Sequence, residues 1–134
     1  MAFYKSKGAD GWVADPNGTN TAGWGLSLTA MDMAKLGQLY LNGGHWNGRQ
    51  IISGKWIAES TQVQSVWEAR HLKYGYLWWV IDEGEHSFAA LGDGGNAIYV
   101  NPKDGIVAAV SSLFVPRAKD RIDFIKSEIE PLFK

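Results

Sequence analysis

An α+β fold is predicted from three features of the sequence. Two amphipathic helical segments occupy its first half, β-branched and aromatic segments separated by turn residues follow, and a helical apolar stripe closes the chain. The sheet portion expected is three-stranded and antiparallel, with the C-terminal helix packed on it and the two other helices preceding it. With 134 residues, 46% of them hydrophobic, the chain suffices for one core and is short for two domains.

Residues 1–28 read mostly as loop. From Gly8 to Ser27 the sequence is rich in Gly, Asn, Asp and Thr, keeps no helical or strand period, and carries a turn signal at Asp15-Pro16-Asn17-Gly18. Loops of this length in compact domains are usually functional or ordered by a partner. Thr29 then fits an N-cap, with Asp32 able to reach back and Leu28 to staple onto Met33. Met33, Leu36, Gly37 and Tyr40 share one helical face, and Asn42-Gly43-Gly44 ends the helix. Asn47-Gly48 marks a tight turn, and Ser53 caps a shorter helix bearing Trp56, Ile57 and Ser60.

The first strand is expected over Tyr74 to Ile81, aromatic and β-branched on both alternating faces, so it needs cover on both sides. Asp82-Glu83-Gly84-Glu85 turns the chain into a second strand, Ser87 to Leu91, interrupted at Gly92-Asp93-Gly94-Gly95 and resuming from Ala97 to Val100. Asn101-Pro102-Lys103-Asp104-Gly105 leads to a third strand, Ile106 to Leu113. Beyond Pro116 a helix capped near Asp120 presents Ile122, Ile125, Ile129 and Leu132 as one stripe.

Composition excludes several functions. A net charge of −1 and a pI near 6.3 give no basic face for phosphates, so no nucleic-acid partner is expected. Cysteine is absent, which removes disulfides and thiolate metal sites. His45, His71 and His86 lack the short spacings of zinc sites, so neither a metal nor another cofactor is expected. No apolar run is long enough for a membrane span, and Met1-Ala2-Phe3-Tyr4-Lys5 lacks the blocks of a signal peptide. The sequence carries no compartment signal.

Hydrolytic motifs are missing in their usual form. There is no Ser-x-x-Lys and no Gly-x-Ser-x-Gly. Tyr40-Leu41-Asn42 matches a Tyr-x-Asn box by letter, but it stands at a helix end where Asn42 has a capping role. Lys103-Asp104-Gly105 imitates a Lys-Thr-Gly box and reads as a hairpin tip. Gly92-Asp93-Gly94-Gly95-Asn96-Ala97 fits a loose dinucleotide fingerprint, yet strand residues follow where a helix is required. That leaves a glycine-flanked break in a strand, which means either a bulge or the close approach of a ligand or another backbone. The seven tryptophans fit core and cleft wall, with an exposed sugar platform as the alternative. Arg117-Ala118-Lys119-Asp120-Arg121 reads as a solvated face.

Gly23-Trp24-Gly25-Leu26-Ser27-Leu28-Thr29-Ala30-Met31-Asp32-Met33-Ala34-Lys35-Leu36-Gly37 resembles a segment of the β-lactamase-related serine hydrolases. These include class C β-lactamases, penicillin-binding carboxypeptidases, esterases and 6-aminohexanoate-dimer hydrolases. Leu39 to Gly44, Trp46 to Ser53, Tyr74 to Trp79 and Phe88 to Pro102 continue the likeness, which covers nearly the whole chain from about Gly11. Trp24 stands where many relatives carry another glycine.

The resemblance implies that residues 1–134 are a single partial domain, the C-terminal segment of the β-lactamase/transpeptidase-like fold. The nucleophile, in Ser-x-x-Lys, would lie N-terminal to it, so the chain alone is expected to be inactive. Its expected partner is the missing N-terminal half or a second copy of itself. By position the third active-site motif is Gly92-Asp93-Gly94, with the Asp93 backbone amide implied as an oxyanion donor and Gly92, Gly94, Gly95 and Asn96 as substrate-binding. An aspartate there repels substrate carboxylates, which favours a small ester or amide over penicillins. The rival expectation is a self-sufficient, non-catalytic binding or interaction module that uses its aromatic surface.

Overall fold

The computed structural model describes residues 11–112 and 120–134. Residues 1–10, the expected strand end at Leu113, Pro116 and the stretch Arg117-Ala118-Lys119 lie outside these. Helix α1, Ala30–Leu41, starts at Thr29, whose hydroxyl accepts from the Asp32 amide at 3.2 Å and donates to its carboxylate at 2.7 Å. It ends where the amides of Gly43 and Gly44 donate to Tyr40 and Leu39 at 3.0 and 2.8 Å, so Tyr40-Leu41-Asn42 is a helix terminus. The Tyr40 ring packs 4.5 Å from that of Trp78. A small hairpin follows, β1 (His45–Trp46) and β2 (Arg49–Gln50), turning at Asn47-Gly48. Helix α2, Gly54–Thr61, is capped by the Ser53 hydroxyl, which accepts from the Trp56 amide at 3.1 Å.

The main sheet has six strands rather than the three expected: β3 (Ser65–Trp67), β4 (Leu72–Tyr74), β5 (Trp79–Asp82), β6 (Ser87–Gly92), β7 (Asn96–Asn101) and β8 (Ile106–Val110). They pair antiparallel in chain order. Two reversals account for most of the difference. The segment Tyr74 to Ile81 is not one strand, because Gly75 donates to the carbonyl of Trp78 at 2.8 Å and the chain turns through Tyr76-Leu77. Gly92 to Gly95 is not a break in a continuing strand either. Gly94 and Gly95 take φ of 82° and 91°, which closes a tight turn and sends β7 back along β6 with Gly92 opposite Asn96. Lys103-Asp104-Gly105 lies in the next turn, between β7 and β8.

Alternation along the strands gives the sheet two apolar faces. Phe88, Ile98 and Val100 meet Trp78 and Met33 on one face, with Leu36 and Tyr40 of α1 packed alongside. Gly37 lets α1 approach closely: a Cβ there would stand 2.6 Å from a methyl of Val107 and 3.0 Å from one of Ile98. Ala89 and Tyr99 on the other face meet Ile122 and Ile125 of the C-terminal helix, with Ile129 packed against them. The sheet is therefore sandwiched between α1 and that helix.

The C-terminal helix starts at Asp120, whose carboxylate accepts from the Ile122 amide at 2.7 Å. It runs as α3 (Arg121–Phe124), widens to π turns over Ile125–Ile129 and tightens to a 3-10 turn over Glu130–Phe133. This change of winding breaks the expected stripe. Leu132 turns out to solvent, 75% exposed, while Glu130 is 2% exposed. The Glu130 carboxylate accepts from the Tyr99 hydroxyl at 2.7 Å and the Asn101 side-chain amide at 2.8 Å, tying the chain end to β7. Burial, and then the bond to Glu130, pushes the Tyr99 phenol well above its ordinary range. Among the described residues no helix is long and apolar enough to cross a membrane.

Candidate functional site

A cleft of about 800 Å³ opens beside the β6–β7 turn, within the range of small-molecule sites. One wall comes from the loop that precedes α1: Trp12 and the run Ala22 to Leu28. That loop is folded back on itself. Trp12 bridges Leu26, Val13 accepts from Thr21 at 3.0 Å and donates to Gly25 at 2.9 Å, and the Trp12 indole donates to the Thr21 carbonyl at 2.9 Å. Gly25, at φ 82°, permits this closure, since a Cβ there would stand 2.7 Å from that of Val13. The other walls are Met33 and Leu36 of α1, then Tyr74, Leu77 and Trp79, then Ala90, Leu91, Gly92, Asp93, Asn96 and Ile98.

Gly92, Asp93 and Asn96 thus share the cleft. Gly94 and Gly95 stand in the turn and are not part of its lining. Gly95 faces the other way, where a Cβ would lie 3.0 Å from the Arg121 guanidinium. Asp93 is exposed and is the one charged residue among those lining the cleft.

The turn fixes the peptide on either side of Asp93. The Gly95 amide donates to the Gly92 carbonyl at 3.3 Å, holding that oxygen inside the turn. In a trans peptide the N–H points opposite to the C=O, so the Asp93 amide is directed away from the turn's interior. Among the described residues it donates to no acceptor. On the other side, the Asn96 side chain donates to the Asp93 carbonyl at 3.3 Å and accepts from the Ser112 amide at 2.9 Å. Arg121 donates to the Ser112 hydroxyl at 3.3 Å, so α3 and the segment just after β8 buttress the same turn. A fixed, unpaired N–H at the edge of a largely apolar cleft can donate to an oxygen that gains negative charge.

Several contributors escaped the sequence. The sequence predicts one continuous strand through Leu77 and Trp79, and only the reversal at Tyr76-Leu77 brings Leu77 to the cleft. Trp12 and Trp24 sit in a segment without periodicity, so only the general reading of the tryptophans as core or cleft wall pointed to them. The brace from Ser112 and Arg121 spans 16 and 9 positions of sequence, and no short motif encodes it. The seated glycines, by contrast, were visible as a cluster.

No family model matches the chain. Among known proteins it is similar to the 6-aminohexanoate-dimer hydrolase of Paenarthrobacter ureafaciens, 27% identical over 111 residues that cover 75% of this chain and 28% of that enzyme. Among solved structures it is similar to one described as "Putative 6-aminohexanoate-dimer hydrolase from Bacillus anthracis", with a TM-score of 0.72 and 28% identity. That match covers 86% of this chain and 31% of the other. The chain therefore spans less than a third of the length of either relative. Sequence and fold together support, at low identity, a likeness of this chain to β-lactamase-related hydrolases.

Proposed function

We propose that this chain, residues 1–134, is the C-terminal segment of a serine hydrolase of esterase or amidase type, a single partial domain that forms one wall of the active site. The observation that carries the proposal is the Asp93 amide at the edge of the cleft, braced on both flanking peptides and without an acceptor among the described residues. In this reading the amide donates to the oxyanion of the tetrahedral intermediate, and Gly92 lets the substrate carbonyl approach the backbone. Asn96 holds the turn, while Gly94 and Gly95 give it its shape and bind substrate only through it. The nucleophile and its lysine come from a Ser-x-x-Lys segment that these 134 residues do not contain. That segment would cover the exposed apolar residues Trp24 and Leu26 on the loop side of the cleft. The relatives' name, 6-aminohexanoate-dimer hydrolase, favours a linear amide as the substrate; such a dimer ends in a carboxylate, so the neutral preference argued from Asp93 departs from it.

A reactive-serine probe tests this division of labour. The chain alone should remain unlabelled by a fluorophosphonate or a labelled β-lactam, since an unactivated serine is a weak nucleophile. Mixed with the Ser-x-x-Lys portion of a relative, it should restore labelling on that portion only. Stoichiometric labelling of any serine in this chain would overturn the assignment.

A further inference from the structure

Leu77 stands in the wrong turn for its side chain. Gly75 to Trp78 connect β4 to β5 with Tyr76-Leu77 at the tip of the turn, and Leu77 takes φ 64°. Loops of this kind put Gly, Asn or Asp where φ is positive, because a branched side chain there crowds the backbone. Both flanks force the conformation. Gly75 fits against the Ser60 carbonyl, 2.1 Å from where a Cβ would stand, and the Tyr76 amide donates to that carbonyl at 2.8 Å. The Tyr76 ring stacks on Trp56 at 5.6 Å, while Trp78 is buried in the core. Leu77 gains little from packing in exchange, since it is 58% exposed, and the face it does cover lines the cleft. A strained, exposed, apolar residue at a binding cleft is where local rules yield to function.

We propose that Leu77 is a specificity-determining residue, whose isobutyl group contacts the aliphatic chain of a neutral, linear ester or amide bound in the cleft. The inference rests on the hydrolase reading for the chemistry at Asp93, but binding in the cleft can be measured without turnover. The other surroundings suit such a chain, because Trp79 and Leu91 also line the cleft and Asp93 is its one charge.

The test uses the chain itself and linear primary amides from acetamide to octanamide, with binding followed through the emission of Trp12, Trp24 and Trp79. The unchanged chain should bind more tightly as the amide lengthens. Leu77→Asn and Leu77→Gly should bind octanamide about tenfold more weakly and lose most of the dependence on length, as removal of one apolar side chain from a contact implies. Their thermal midpoints should hold or rise by about 2–4 °C, because both residues accept positive φ. A merely structural leucine gives the opposite pattern, a lower midpoint with binding unchanged, and that result overturns the inference. So does the absence of length-dependent binding in the unchanged chain. Either failure leaves the hydrolase reading to be judged by its own serine-probe test.

Discussion

Asp93→Pro is expected to lower kcat of the assembled hydrolase by about 10²–10³-fold on neutral and anionic substrates alike, the usual loss for one oxyanion donor. Proline deletes the N–H that the turn leaves unpaired, and circular dichroism checks that the fold persists. Asp93→Ala should behave differently. The amide survives, so turnover of neutral substrates should stay close to that of the unchanged enzyme, while kcat/KM for carboxylate-bearing esters or amides rises because a repelling charge has gone. Asp93→Lys should extend that gain. The comparison separates backbone from side chain. If Asp93→Ala abolished turnover of both substrate types with the fold intact, the carboxylate would be acting as an acid or base, contrary to the role argued for its amide.

Glu130→Ala is expected to cost about 1–3 kcal/mol of stability, measured by urea unfolding, a sizeable part of what a domain of this size possesses. The substitution removes the acceptor shared by the Tyr99 hydroxyl and the Asn101 amide and leaves the hydroxyl buried without that partner. Asn101 keeps its 3.1 Å contact with Asp104, which limits the loss. The same carboxylate makes stability depend on pH. Burial raises its pKa, but the bonds from Asn101 and Tyr99 and the charges of Lys134 and Lys126 outweigh this, so the group lies below its ordinary 4.5. A carboxyl lowered in the folded state stabilises fully above its unfolded value and loses that contribution as pH falls through its folded value. Stability should therefore decline from pH ~4.5 downward, and the decline should be shallower in Glu130→Gln. An equal slope in both proteins would show that Glu130 is not the group responsible.

What could be read from sequence was local. Thr29, Ser53 and Asp120 cap their helices as expected, because a cap depends on residues only a few positions away. The α+β class followed from periodicities that hold within each segment. The strand count did not follow, and the residues show why. A turn is announced by Gly, Asn, Asp or Pro; Gly75 is the one such residue at this reversal and the tip is Tyr76-Leu77, so an aromatic run hid it. At Gly92 to Gly95 the turn residues were present, but apolar residues on both sides suit a bulge and a hairpin equally; only pairing with β5 and β8 decides. Leu132 failed for another reason, since a regular helical period was assumed through a segment that winds as π and then 3-10. The Gly92-Asp93-Gly94 motif was legible as letters. Its cleft was not, because the opposing wall comes from the loop before α1, whose residues carry no period.

The most direct measurement of the central claim is an amide NMR titration of the isotope-labelled Asp93→Ala chain with a singly charged alkylphosphonate monoester, a tetrahedral anion resembling the oxyanion. Removing the carboxylate leaves the backbone donor without a competing negative charge. The amide proton at position 93 should move furthest downfield and exchange more slowly on binding, with smaller changes at Gly92 and Asn96. If the anion binds while the position-93 amide stays unmoved, the oxyanion role argued for this turn is contradicted.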